Sequence, residues 1–272
     1  LNPYQGPHGG NYYYRAKLAK AGNSFMMNFH QYDGPYRQFT QMIDSNINIL
    51  GDNQGTEVDS NGEDQRYSDL CAVNDNFYLA YSNLTGAGYG IYLDKYDSSG
   101  ESLWGSPVNI VDVSFGDNLV KAIFPNPLNG GVIVIYHEES FMGVSLNMIS
   151  VSEDGEVLTQ MSLCSDCENP NYESHAIGDN EFIVTYRLTS SSLASGVYSQ
   201  IFSYTGEMLG DSNGILIADE INDQRSSDIT YNSEIDEYLV CWNDGRDSFV
   251  NDEGDEVADL NILCSRLTYD GT

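Results

Sequence analysis

The chain has 11 basic residues to set against 41 acidic ones, a formal charge of −30 over 272 residues. So little positive charge argues against nucleic acid or anionic lipid as partners, because the summed field repels phosphate. Long apolar runs are also missing: no stretch reaches the roughly 18 residues that a membrane-spanning helix needs, so no membrane insertion is expected. No segment shows a convincing 3.6-residue apolar period, which removes helices as the main element. Cysteine is scarce, and five cannot all pair within one chain. The sequence begins at Leu1 without Met or a signal-like segment, as expected of a mature or clipped product. What is abundant is Gly (26) and Tyr (20), which suits tight turns and half-buried strand faces, and at 40% apolar the chain can build a core.

Two hexapeptides are nearly the same: "DQRYSD" at 64–69 and "DQRSSD" at 223–228. Gln65 and Gln224 are 159 residues apart, three times 53, so a repeating unit would place two more copies between them. A short apolar run closed by an aromatic does recur: "FMMNF", "FYLAY", "VIVIY", "FIVTY" and "YLVCW". The closing residues Phe29, Tyr81, Tyr136, Tyr186 and Trp242 are spaced by 52, 55, 50 and 56. A turn mark follows each run, at Asn46, Gly100, Gly155, Gly206 and Gly271. The last step is lengthened by an acidic insertion, "NDGRDSFVNDEGDEVAD" (243–259).

Runs of about five residues rich in Val, Ile, Tyr and Phe, bounded by Gly, Asn and Asp, are buried strands and too short for helices. A weaker strand precedes each run and an alternating one follows; the turn then leads to a fourth segment such as "ESLWG" (101–105). Four strands per unit of about 50 residues predict an all-β chain, a five-bladed β-propeller of four-stranded antiparallel blades. The blades divide as 11–65, 66–117, 118–170, 171–224 and 225–272, after an extended arm at 1–10. Blade five stops one residue past Gly271 and lacks its own outer strand. Its open edge would take a strand, and the arm is the segment at hand, from the same molecule or a neighbour. A neighbour's arm would link subunits into a filament.

The stretch "YGIYLDKYDSSGESLWGSPVNI" (89–110) resembles a repeat of extracellular bacterial propellers, written DIYxQxxDxxGxxLW with DQxxP and WxDxR. "DQRSSDITYNSEIDEYLVCWNDGRD" (223–247) matches the second half, with Trp242, Asp244 and Arg246 at the W, D and R positions. The proline after "DQ" is absent here. The resemblance implies a propeller on a secreted or surface protein and fixes no one activity. "DQR" then falls where one blade hands over to the next, a junction in which Gln and Asp bond the loop backbone.

Site residues follow from the same register. Loops on one face of a propeller gather His30, His137, Glu138, Glu139, Arg187, Asp244 and Arg246, with Arg66 and Arg225. First strands place Asp69, Glu173 and Asp228 at matching heights, where three carboxylates would suit glycoside hydrolysis. Against that chemistry, Asp69 and Asp228 belong to the repeated hexapeptide, so the repeat alone predicts them. Asp247, Asp252, Asp255 and Asp259 are candidate calcium ligands, but their spacing does not fit an EF-hand loop. No other cofactor is expected. Cys164 and Cys167 form a CxxC suited to a turn disulfide, Cys241 and Cys264 fall on neighbouring strands, and Cys71 is left as a buried free thiol. Asn83 in "NLT" is the one glycan acceptor sequon. Trp104 and Trp242 are expected to fill gaps between blades.

These observations lead to the expectation of a non-catalytic extracellular interaction or assembly module, with protein as partner and possible self-assembly through blade five. The alternative is a carbohydrate-active enzyme or lectin that uses Asp69, Glu173 and Asp228 on a glycan.

Overall fold

A computed structural model describes residues 13–268 apart from 33, 53, 61–63, 114–115, 142, 165–169, 189–195, 211–213, 220–223 and 251–255. No helix occurs among the described residues. Strands follow one another as antiparallel meanders in five sheets. The first has β1 (Tyr13–Ala21), β2 (Ser24–Tyr32), β3 (Tyr36–Asp44) and β4 (Ile49–Leu50), with β5 (Thr56–Glu57) also on β3. The second has β6 (Gln65–Val73), β7 (Asn76–Thr85), β8 (Gly88–Tyr96) and β9 (Val108–Val111). The third has β10 (Gly116–Pro125), β11 (Val132–Ser140), β12 (Gly143–Val151) and β13 (Val157–Ser162). The fourth has β14 (Asn171–Ile177), β15 (Glu181–Leu188), β16 (Gly196–Ser203) and β17 (Met208–Leu209), with β18 (Ile215–Asp219) also on β16. The fifth has β19 (Gln224–Asn232), β20 (Glu237–Val250) and β21 (Glu256–Leu267). The fold is an all-β, five-bladed β-propeller, and among the described residues the last blade has three strands. The arm at 1–10 lies outside the described residues.

The chain forms two compact units, Leu1–Met142 with Asn147–Gln160, and Gly143–Leu146 with Met161–Thr272. In the first, the second strand β7 of the middle blade is apolar on both faces because a blade lies on each side. Phe77, Leu79 and Tyr81 of β7 pack with Met26 and Met42 of the first blade. The alternate residues Tyr78 and Ala80 pack with Val120, Val132 and Val134 of the third. Successive side chains of a strand point to opposite faces, so five consecutive buried residues require cover on both. In the second unit Ala176, Ile183 and Val197 pack with Ile229, Val240 and Trp242.

The turn after the third strand is a repeated device in the first four blades. Asp97 accepts the amides of Ser99 and Glu101, and the Gly100 amide returns to the Asp97 carbonyl. Gly100 has φ 89°, a conformation open to glycine at little cost. In the first blade the corresponding amide is that of Ile47, which bonds the Asp44 carbonyl at φ 65°. The turn mark there is therefore Ile47, one residue past the expected Asn46. "ESLWG" also departs from expectation: Ser102 makes only an isolated bridge to Tyr96, and the fourth strand is β9. Trp104 instead packs edge-on to Tyr78 and lies against Gly155 of the third blade.

Cys241 and Cys264 stand directly opposite on β20 and β21 and are joined by a disulfide. Cys164 is also disulfide-bonded, while Cys167 lies outside the described residues. Cys71 is a buried free thiol whose pKa is pushed well up by burial, with Asp69 adding to it.

Candidate functional site

The first hexapeptide touches every long strand of the blade before it. Asp64 accepts the Tyr36 amide at 2.8 Å, and Gln65 Oε1 accepts the Gln38 amide at 2.8 Å. Ser68 Oγ donates to Asn28 Oδ1 at 2.6 Å on β2, and Asp69 pairs with Lys17 Nζ of β1 at 3.1 Å. Asp69 also accepts the Ile123 amide of the following blade at 3.1 Å. A weaker version recurs at the next junction, where Asp117 accepts the Tyr89 amide and Asn118 donates to the Tyr89 carbonyl. In the second hexapeptide Ser227 donates to Thr185 Oγ1 at 3.1 Å, the counterpart of Ser68 and Asn28. The side chains of Gln224 and Arg225 lie outside the described residues. Gln65 is 1% exposed, and its Nε2 donates to the Asp59 carbonyl. Gln65→Leu is expected to lower stability by about 2 kcal/mol, because it strands a buried amide. Chemical denaturation of the two proteins measures this, and equal midpoints would remove the junction role.

Asp64 is held below the ordinary carboxylate range. Burial works against this, but hydrogen bonds from Arg66, the Tyr36 amide and the Tyr89 hydroxyl outweigh it. Arg66 lies 2.6 Å from Asp64 and stacks 4.5 Å from the centre of the Tyr36 ring. The Tyr89 hydroxyl, donating to Asp64, is pushed well above the usual tyrosine range by burial and by that carboxylate. It is no nucleophile near neutral pH.

Every first strand carries a β-bulge opposite or beside the closing aromatic of its blade. The register shifts fall between Tyr14 and Lys17, Arg66 and Asp69, Val120 and Ala122, Tyr172 and Ser174, and Arg225 and Asp228. The residues at one height, each paired with the position before that aromatic, are Lys17, Asp69, Ala122, Ser174 and Asp228. Glu173 is one place off, in the bulge itself. The expected matching heights of Asp69, Glu173 and Asp228 are corrected accordingly.

The surroundings of the three carboxylates differ more than a shared repeat position would require. Asp69, in the first unit, is held by the Lys17 ammonium and the Ile123 amide. Glu173 and Asp228 belong to the second unit, on first strands that pack together. The Glu173 side chain is 16% exposed and faces the Arg187 guanidinium, Oε1 to Nε, at 3.9 Å. Asp228 is exposed and accepts the amide of Ile229.

His30 and His137 are both buried. His30 is 5% exposed, with Nε2 3.0 Å from Ser68 Oγ. The Ser68 proton goes to Asn28, which leaves its oxygen to accept from the imidazole. His137 is lowered to about 3, mainly by burial and further by Lys121, and so is neutral at physiological pH. Glu138 and Glu139 stand at the end of β11 opposite Asn118 and Asp117. Asp244 is fully buried and accepts the Trp242 indole N–H at 3.2 Å, so W and D of the WxDxR pattern bind each other. The Arg246 side chain is not among those described. The same holds for Asp247, Asp252, Asp255 and Asp259, and no group of three metal-ligating residues occurs among the described residues. Asn83 is 4% exposed in β7, between Gln65 and Gly90. A glycan has no room there in the folded chain, which corrects the expectation from the sequon.

A cavity of about 340 Å³ opens in the first unit between β3 and the segment 99–107, lined in part by Gln41, Asp94 and Tyr96. Asp94 is 1% exposed and accepts the Lys95 amide and the Ser102 hydroxyl. Burial raises its pKa, and these hydrogen bonds only partly offset that. A carboxylate raised on folding is penalised as pH rises from the ordinary carboxylate range, and fully so above its folded value. Asp94→Asn should therefore stabilise the chain at pH 7 by about 1 kcal/mol, as neutral replacements of buried charge can. The gain should fade as pH falls into the carboxylate range. Denaturation at the two pH values decides it, and a loss of stability at pH 7 would mean that the hydrogen bonds outweigh the burial.

No protein-family model and no curated protein sequence matches the chain. Solved structures do. A subtype N10 neuraminidase-like protein from A/little yellow-shouldered bat/Guatemala is 13% identical, covers 98% of this chain and 85% of its own, and has a TM-score of 0.52. A thermostable family-43 glycoside hydrolase is 14% identical, with 99% and 94% covered and a TM-score of 0.46. The GH43 BlXynB protein from Bacillus licheniformis is 12% identical, with 89% of this chain and 54% of that one covered and a TM-score of 0.42. At these identities the likeness is one of fold. The expectation of a non-catalytic assembly module is corrected to its carbohydrate-active alternative, which is taken up below as a proposal.

Proposed function

We propose that the chain is a carbohydrate-active propeller, a glycoside hydrolase whose catalytic pair is Glu173 and Asp228. The observation that carries this is the unlike setting of two carboxylates on neighbouring first strands of one unit. Glycoside hydrolysis needs one carboxyl to protonate the leaving oxygen and another to attack or to activate water. Two such groups must hold different protonation states, so they need different surroundings. Glu173 lies partly enclosed in its bulge beside the Arg187 guanidinium, whereas Asp228 lies open to solvent. Asp69 serves the scaffold instead, because with Lys17 and the Ile123 amide on its oxygens it ties three blades together.

The disulfide Cys241–Cys264 persists only where the medium is oxidising, which supports an extracytoplasmic location. The test is incubation of the chain with arabino-, xylo-, galacto- and uronic-acid oligosaccharides, with products followed by chromatography. Release of shorter sugars supports the reading. Failure to cleave any of them, together with no effect of Glu173→Gln on sugar binding, would overturn it.

A further inference from the structure

The cavity beside β3 belongs to the first unit, and what it binds is independent of the hydrolase reading, whose residues belong to the second. Asp94 lines it at a position that the repeat fills differently elsewhere. Gln41, Asp94, Ile149 and Gln200 each stand three residues before the one that opens the turn after a third strand: Asp44, Asp97, Ser152 and Ser203. In the first and fourth blades the amide ties down the outer strand. Gln41 Nε2 donates to the Leu50 carbonyl at 2.8 Å and Gln200 Nε2 to the Leu209 carbonyl at 3.1 Å. An ionised carboxylate cannot donate, so Asp94 does not do this. Its Oδ1 accepts the Lys95 amide and the Ser102 hydroxyl instead. A buried charge is costly where an amide or an apolar side chain serves the other blades. A residue that breaks the local rule in this way marks a functional position.

No cation meets Asp94 among the described residues, and the cavity lining contains no Lys, Arg or His. Lys95, next in sequence, faces the other side of β8, as alternation requires, with Nζ 2.9 Å from Glu153 Oε1 of the third blade. Arg37 is held by Glu57 at 2.9 Å. Two more polar groups on lining residues have no hydrogen-bond partner: Gln41 Oε1 and the Tyr96 hydroxyl, on side chains 4% and 5% exposed. The tyrosine hydroxyl lies beside Asp94. Glu101 adds an exposed carboxylate to the lining. The cavity therefore offers acceptors and negative charge, and what suits it is a cation that donates hydrogen bonds.

We propose that this cavity binds the ammonium group of a small polar amine, with Asp94 as its counter-charge, Gln41 Oε1 as a further acceptor, and Thr40, Thr56 and Ser106 around the rest of the molecule. An ammonium brings three N–H donors to such acceptors. A metal ion fits less well. Calcium takes roughly six to eight oxygen ligands, whereas no group of three metal-ligating side chains occurs among the described residues. A volume of about 340 Å³ suits a small molecule rather than a bare ion.

Calorimetric titration of the full chain at about pH 7, where amines are charged, uses glucosamine, glucose, 1,4-diaminobutane and calcium chloride. Glucosamine has the shape of glucose with an ammonium in place of one hydroxyl, and it should bind at least about tenfold more tightly. Tighter binding of glucosamine than of the diamine assigns the body to a sugar, the reverse assigns it to an open chain, and both support ammonium recognition. A chain of charge −30 attracts any cation weakly, so the variants are decisive. Asp94→Gln installs the residue that the repeat has at 41 and 200, and should weaken amine binding at least about tenfold. Asp94→Asn, closer in shape, should do the same. Glu156→Gln removes an exposed charge elsewhere in the unit and should leave binding unchanged. Equal binding of glucose and glucosamine, or amine binding that survives both Asp94 variants, would overturn the proposal. So would the absence of amine binding, which leaves the cavity to water. Calcium binding tighter than that of either amine, and lost in Asp94→Gln, would replace the amine with a metal.

Discussion

Glu173→Gln is expected to reduce turnover of the best oligosaccharide by about a thousandfold, within the range that a positioned acid or base contributes. The amide keeps the shape of the carboxyl group but neither delivers a proton nor attacks or activates water. Asp228→Asn should cost as much, because an amide neither attacks an anomeric carbon nor activates water. Asp69→Asn should behave differently. Its oxygen can still accept the Ile123 amide, but the ion pair with Lys17 is lost, so the change should appear in the melting temperature more than in kcat. Measuring kcat, KM and thermal unfolding for the three variants separates these roles. Full activity in Glu173→Gln would remove the assigned pair, and a thousandfold loss confined to Asp69→Asn would move the chemistry to the other unit.

Cys241→Ser with Cys264→Ser is expected to destabilise the second unit by about 3 kcal/mol, the chain-entropy value for a loop of this size. The two sulfurs join residues 23 apart on directly paired strands. Around the bridge Val240 and Trp242 are buried with Ile229 and Ile183, so loosening β20 from β21 exposes that core. The two tryptophans lie in different units, Trp104 in the first and Trp242 in the second. With Trp104→Phe as background, the fluorescence of Trp242 reports the second unit alone during denaturation. An unchanged midpoint in the cysteine variants would mean that the bridge contributes nothing in solution.

The second strands were legible in the sequence because they obey one strong rule. "FYLAY" and "VIVIY" are apolar at every position and every one of those side chains is buried, with a blade on each side of "FYLAY". The turns after the third strands of the first four blades were nearly as plain, since the Asp or Ser that begins each of them and the residue three places on make local bonds. Ile47 escaped only because a β-branched residue there hides the left-handed backbone that glycine advertises elsewhere. The fourth strand of blade two was misplaced at "ESLWG" because Trp104 suggests a strand but is used to cover Gly155.

The candidate site was only half legible. Composition and repeat pointed to Asp69, Glu173 and Asp228, but spacing could not reveal the bulge that puts Glu173 out of line. A bulge adds one residue to a strand without changing its composition, and only pairing against the neighbouring strand exposes it. Burial was equally hidden: "NLT" reads as a surface sequon, whereas Asn83 is enclosed in the second strand of its blade. The sequence by itself determined the blade count, the apolar second strands and the excess of acid, because each depends on local residue chemistry repeated at a fixed period. Only the tertiary structure decided which carboxylates are tied down and which remain open. Those properties depend on which residues distant in sequence become neighbours, and that is fixed by strand pairing and blade stacking.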